Sequence, residues 1–142
     1  MTSAREQLLS AAKALCDDFS QQKSTETILS HFSSTQCTAL EYGLPALAPF
    51  LGRPFNGCDG VREYFSIIAS ILTYEDMHFS DYFVDIEVRK VSVKGRATFT
   101  WKSTGKSWEE VFAYVLDFDA EDKVTKYQVW ADTGAAYLAS KG

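Results

Sequence analysis

Apolar residues at Leu8, Ala12, Leu15 and Phe19 recur every three or four positions, with Leu9 and Cys16 beside them. Arg5, Glu6, Lys13 and Asp17 fill the opposite side. This period predicts an amphipathic helix at the start of the chain. A short second helix is predicted over residues 25–33. Ser24 is placed to cap it, Glu26 suits the positive end of its dipole, and Ile28, Leu29 and Phe32 share one face. His31 suits the other end of the same dipole. The clearest helix follows Asn56 or Asp59, either of which can cap it. There Val61, Tyr64, Phe65, Ile68, Ile71 and Leu72 keep helical spacing along one wide face.

From His78 onward the period shortens to two. HFSDYFVDIEV, KVSVKGRATFTW, WEEVFAYVLDFD and KVTKYQVWAD are strand-like runs rich in β-branched and aromatic residues, separated by turn signals in STGK and DAEDK. Residues 37–42 suit a further short strand, and TGAAYLASKG a last short helix. Between that first strand and the third helix lies YGLPALAPFLGRPFNG, which holds all three prolines and three of the eight glycines. It predicts an ordered loop. Leu44, Leu47, Phe50, Leu51 and Phe55 make it apolar enough to form a lid or a pocket wall.

Three helices around one short strand, then a meander of four strands, predict an α+β fold with helices segregated from an antiparallel sheet. No repeat, linker or low-complexity segment interrupts residues 1–142, so one domain is expected. In residues 108–119 both alternating sets are apolar: Phe112, Tyr114, Leu116 and Phe118 on one side, Val111, Ala113 and Val115 on the other. A strand covered on both faces needs a second cover, and no further helix supplies one. A homodimer through the sheet is expected.

Composition narrows the classes. The net charge of −5 argues against nucleic acid and anionic membrane as partners, since both require clustered Lys and Arg. No apolar run approaches the ~20 residues of a membrane span, and the charged residues within the first apolar pattern argue for a folded helix over a signal peptide. Cys16, Cys37 and Cys58 are an odd number at wide spacings, which suits buried thiols in a reducing compartment. A soluble cytoplasmic protein is expected. No HxxxH, HxH or cysteine cluster is present, so no metal site is expected.

PFLGRPFNGCDGVREYF, followed by TGKSWEEVFAYVLDFDAEDKVTKYQVWADTGAAYLA, resembles the SnoaL-like branch of the nuclear transport factor two-like superfamily. The resemblance rests on Gly52-Arg53, Gly57, Val61, Thr104-Gly105-Lys106, the Phe112-Ala113-Tyr114-Val115 strand, Lys123-Val124 and Trp130-Ala131-Asp132-Thr133. AEDK departs from the family's glycine-bearing turn. The resemblance implies helices packed on a curved sheet that forms a cone around a central pocket. It also implies a small apolar or polyketide-like ligand. Members of the superfamily include polyketide cyclases, ketosteroid isomerase, scytalone dehydratase and limonene epoxide hydrolase. They use carboxyl, His or Tyr groups without a metal or organic cofactor, and many are dimers.

The resemblance further implies that the last strand looks into the cone. By period-two alternation Gln128, Trp130 and Asp132 share one face, and that face is expected to line the pocket. An acid among aromatic rings is poorly solvated, its pKa rises, and it can carry a proton near neutral pH. Asp132 is the candidate acid–base group; as an ordinary residue it would cap the tail helix. Tyr114 is a candidate oxyanion donor or a core aromatic, and Phe112 shares its face. His78, on a face with Ser80 and Tyr82 if its strand is regular, is a candidate base or a solvent-facing strand-start residue. Tyr42 and Tyr64 are expected to line the pocket. Arg53 is expected either to fold over its mouth toward an anionic group or to serve a turn.

The expected function is cofactor-free acid–base catalysis by a cyclase, isomerase or dehydratase acting on a polyketide- or terpenoid-like metabolite. The alternative is a non-catalytic ligand-binding or dimerisation module of the same fold.

Overall fold

The computed structural model of the protein describes residues 2–142. Helix α1 (Ala4–Ser20) is capped by Ser3, whose hydroxyl accepts the Glu6 N–H. Helix α2 (Thr25–Leu29) is capped the same way by Ser24. It ends earlier than its sequence pattern predicts because the following backbone is used elsewhere: Ser33 N–H donates to the Val124 carbonyl, and Val124 N–H to that of His31. The His31 ring bonds Asp18 Oδ2 at 2.6 Å and ties this segment back to α1.

Strand β1 (Thr38–Tyr42) leads into the apolar loop, which contains a 3₁₀ turn (Pro45–Leu47) and a two-residue strand, β2 (Phe55–Asn56). The loop is folded onto β1. Gly52 donates its N–H to the Glu41 carbonyl at 2.9 Å in a left-handed conformation, φ 76°. A Cβ there would lie 2.6 Å from the Gly43 carbonyl oxygen, so only glycine fits.

Helix α3 (Gly57–Ile71) has Asn56 at its cap position, but the Asn56 side chain accepts from the Thr38 hydroxyl instead of capping. The helix runs directly into β3 (Leu72–Asp85), which therefore starts six residues before His78. Register shifts at Glu75/His78 and Ser80/Phe83, with Asp76 and Asp81 at positive φ, make β3 irregular. The second shift separates Tyr82 from His78 and Ser80: those two are exposed, while Tyr82 turns toward Cys16 of α1. Strands β4 (Lys90–Trp101), β5 (Ser107–Phe118) and β6 (Val124–Trp130) complete the meander, and α4 (Thr133–Ala139) follows.

The sheet order is β2-β1-β6-β5-β4-β3. It is mixed, not wholly antiparallel as expected, because β1 pairs parallel with β6. A parallel pair needs a long crossover, and the loop, α3 and the meander supply it. Helix α1 packs on β3 and β4, and α3 on β1 and β2. Leu8, Leu15, Cys16, Val61, Tyr64, Leu116 and Val124 are fully buried between these layers. Burying a leucine of this kind contributes roughly 1.5–3 kcal/mol. No helix among the described residues is long and apolar enough to cross a membrane.

On β4 the inward position Gly95 pairs with Phe112 of β5, and the Phe112 ring lies across it. A Cβ at Gly95 would sit 2.2 Å from a ring carbon. Gly95→Val is expected to force the ring aside at a cost of about 1–3 kcal/mol, lowering the melting temperature by about 3–10 °C in a thermal scan. An unchanged melting temperature would show that the ring moves freely.

Candidate active site

A cavity of about 110 Å³ lies between the concave face of the sheet and helices α1 and α3. Its walls follow strand alternation. Strand β5 turns Trp108, Glu110, Phe112 and Tyr114 inward, and β6 turns Tyr127 and Val129 inward. Phe19 of α1 and Tyr64, Phe65 and Ile68 of α3 face them. The folded loop contributes Phe50 and Leu51, as a pocket wall. Asp132 lines the cavity yet is exposed, so this end, beside α4, is the mouth.

Most of the lining is aromatic or aliphatic, which gives its few polar groups unusual weight. Glu41 of β1 is 8% exposed and Glu110 of β5 is 7% exposed. The Tyr64 hydroxyl donates to Glu41 Oε1 at 2.6 Å, and the Trp108 indole N–H donates to Glu110 Oε1 at 2.9 Å. Burial pushes the Glu41 carboxyl up to about 7; the Tyr64 bond pulls it down and the charge of Glu110 raises it further. Burial also pushes Glu110 up to about 7. The Trp108 bond opposes that shift, and the neighbouring charge of Asp132 adds to it. Tyr64, Tyr114 and Tyr127 are held well above the usual phenol range, first by burial. They remain protonated donors at neutral pH.

Of the residues singled out from sequence, Asp132, Tyr114, Tyr64 and Phe112 line the cavity. Asp132 also caps α4, accepting the Ala135 N–H at 3.0 Å. The cap expected of this residue is present, and its carboxyl group is exposed at the cavity mouth and not buried among the rings as expected. Gln128 and Trp130 do not join it. They point to the outer face, where the Tyr42 hydroxyl donates to Gln128 Oε1 at 2.6 Å and the Tyr42 ring stacks on Trp130 with centroids 4.6 Å apart. The expected shared face fails because β6 stops at Trp130. Ala131 and Asp132 leave the pleat, so alternation no longer fixes the direction of Asp132. Tyr42 is outside for the same reason of parity: it pairs with Trp130, one position past inward Glu41.

His78 is exposed on β3 and does not line the cavity. Arg53 is exposed too. Its guanidinium lies 4.1 Å from the Phe55 ring centroid, and its Nε–H donates to the Pro49 carbonyl, so it braces the loop and does not cover the mouth. Glu41 and Glu110 were not among the candidates. Their parity was readable, since Glu110 alternates with Phe112 and Tyr114, and Glu41 with Ala39 and Cys37. Among the described residues no group of three His, Cys, Asp or Glu side chains is placed to hold a metal ion.

The raised carboxyl groups make stability depend on pH in a defined direction. Unfolded, each titrates near the ordinary 4.5; folded, near 7. The folded state therefore binds more protons between these values, and stability falls as pH rises from about 4.5 to about 7. The cost above pH 7 is about 3 kcal/mol per group. Glu110→Gln keeps an acceptor for Trp108 and removes the charge. It is expected to raise the melting temperature at pH 8 and to change it little at pH 4.5, as read by circular dichroism. An equal effect at both pH values would count against a raised Glu110.

No protein-family model matches the sequence, and no curated protein matches it. Solved structures do match. An NTF2-like protein of unknown function from Burkholderia pseudomallei superposes with a TM-score of 0.82 at 12% identity, over 96% of this chain and 98% of that one. PrhC from Penicillium brasilianum gives 0.72 at 21% identity, over 98% and 95%. BvnE pinacolase from Penicillium brevicompactum gives 0.71 at 19% identity, over 97% and 93%. At these identities the likeness concerns the fold, and it extends over nearly every element described above. The chain has the fold of the nuclear transport factor two-like superfamily.

Proposed function

We propose that the protein is a small-molecule enzyme of the isomerase or cyclase type, including dehydration chemistry, that works by proton transfer without a cofactor. Its substrate class is a polyketide- or terpenoid-like metabolite. The observation that carries this reading is the pair Glu41 and Glu110, two carboxyl groups buried in one aromatic cavity and both pushed up to about 7. Groups poised near neutral pH give and take protons most efficiently.

The surroundings divide the roles. We assign Glu110 the role of acid: burial and the charge of Asp132 favour its protonated form, against the bonds it accepts from Trp108 and the Asp132 backbone. We assign Glu41 the role of base: the bond it accepts from Tyr64 favours its carboxylate, against burial and the charge of Glu110. Glu110 gives its proton to a substrate oxygen, and Glu41 removes one from a neighbouring carbon or hydroxyl. The substrate is rearranged or dehydrated with no net redox change. Tyr114, on the same wall, orients the substrate oxygen, and Asp132 guards the mouth while raising Glu110. That a structural neighbour is a pinacolase supports an enzymatic use of this fold.

The test is conversion of a panel of vicinal diols, epoxides and cyclic β,γ-unsaturated ketones, with products identified by mass spectrometry. Wild-type protein is expected to convert one of these classes without added cofactor. Glu110→Gln and Glu41→Gln should each lower kcat by about 10²–10⁴ with KM little changed, while His78→Ala stays near wild type. Full activity in both Gln variants would overturn the assignment.

We propose also that a second copy of the chain covers the outer face of the sheet. Phe83 of the edge strand β3, Val111 of β5 and Trp130 of β6 are 71%, 49% and 44% exposed, apolar residues that a two-fold pairing would bury on both copies. Light scattering is expected to give twice the chain mass, and Val111→Glu to give the monomer mass. A monomeric wild type would refute the pairing.

A further inference from the structure

The cavity is electrostatically one-sided. Glu41, Glu110 and Asp132 bring three carboxyl groups to it, and among the described residues no Lys, Arg or His side chain lines it. The rings of Phe19, Phe65, Phe99, Trp108 and Phe112 make up much of the remaining wall. Aromatic faces carry negative potential and attract cations. An anion taken into this space would lose its water and meet three acids with no counter-charge.

Glu41 adds a more specific sign. Oε1 is occupied by the Tyr64 hydroxyl, whereas Oε2 takes no donor from the described residues and keeps accessible surface, so it is open to the cavity. A carboxyl oxygen open to the cavity and free of protein donors is an acceptor for a ligand's N–H or O–H. The groups facing the two acids are all neutral or acidic. Tyr64 of α3, Tyr127 of β6 and Glu110 of β5 face Glu41; Trp108 of β5 and Asp132, before α4, face Glu110.

We infer that the ligand's buried end is a single ring or similar apolar head without negative charge, and that it is either a cation, such as an amine, or becomes one when its oxygen is protonated. This rests on the acid and base assignment above. Glu110 passes its proton to the ligand oxygen, so the carboxyl group becomes a carboxylate and the ligand gains one positive charge. That charge faces Glu41 and the ring faces until Glu41 takes a proton from the neighbouring carbon, which returns the ligand to neutrality. The size of the head follows from the volume: a dry cavity of about 150 Å³ accepts benzene, and this one is slightly smaller with an open mouth.

Isothermal titration with three single-ring probes tests the inference: benzylammonium, benzyl alcohol and benzoate. At pH 8 benzylammonium is expected to bind about tenfold more tightly than benzyl alcohol, and benzoate more weakly than both. The benzylammonium advantage should shrink at pH 5, where Glu41 and Glu110 are protonated. It should also disappear at pH 8 in the Glu41→Gln, Glu110→Gln double variant. Any other ranking in the wild type at pH 8, or no binding of benzylammonium, overturns the inference. The measurement is of equilibrium binding without turnover, so its failure leaves the proton-transfer assignment to its own test. Full turnover in the single Gln variants together with the expected ranking would overturn the assignment and leave the charge preference standing.

Discussion

Tyr64 and Glu41 meet at the seam between α3 and β1, and the cavity depends on how that seam closes. Helix α3 is held on the sheet by Val61 and Tyr64, both fully buried. The tyrosine brings a hydroxyl into the same space as the Glu41 carboxyl, and a bond of 2.6 Å joins the two layers. Removing either partner would leave the other buried and unsatisfied, at a cost of about 1–3 kcal/mol. The folded loop reinforces the seam from the other side, since Gly52 bonds the backbone of Glu41 and Leu51 walls the cavity next to it. One residue is thereby fixed through its side chain by a helix and through its backbone by a loop.

This arrangement is expensive in the sense that matters for function. A core built only for stability would place leucine or valine at positions 41 and 110, as β4 does with Val91 and Val93. Two carboxyl groups instead occupy the inward register of β1 and β5, each with one good donor. Their raised pKa values are the mark of that burial. Local rules that fail together at one site point to a functional reason for the failure. The outer face shows the opposite economy. There Tyr42, Gln128 and Trp130 satisfy one another, and the aliphatic residues around them stay open.

The α+β order, the helix faces and the four-strand meander were legible because each depends on local periodicity. The apolar, proline-rich loop was legible as a wall because its composition contradicts a mobile linker. The site was harder to read. Asp132 was found from its motif, and it does line the cavity, but the residues chosen to accompany it were displaced by one step of parity. Period two holds only while the strand continues, and β6 ends two residues before Asp132. His78 faces solvent, which was one of its two readings, while the shifts in β3 separate Tyr82 from the face it was expected to share. Glu41 and Glu110 were overlooked because acids in strands usually face water, although each alternates with buried apolar residues.

The sequence alone determined which segments become helix or strand and which face of each is apolar, because these follow from side chains a few positions apart. It also carried the parity of β5, and with it the inward direction of Glu110. Only the tertiary structure decided that β1 runs parallel to β6, that the loop folds back on Glu41, and that two acids from strands far apart in the chain share one cavity. Those outcomes depend on contacts between distant segments, and no local spacing encodes them. The chemistry follows the same division. Carboxyl groups are present in any reading of the chain, but burial made two of them capable of exchanging protons near neutral pH.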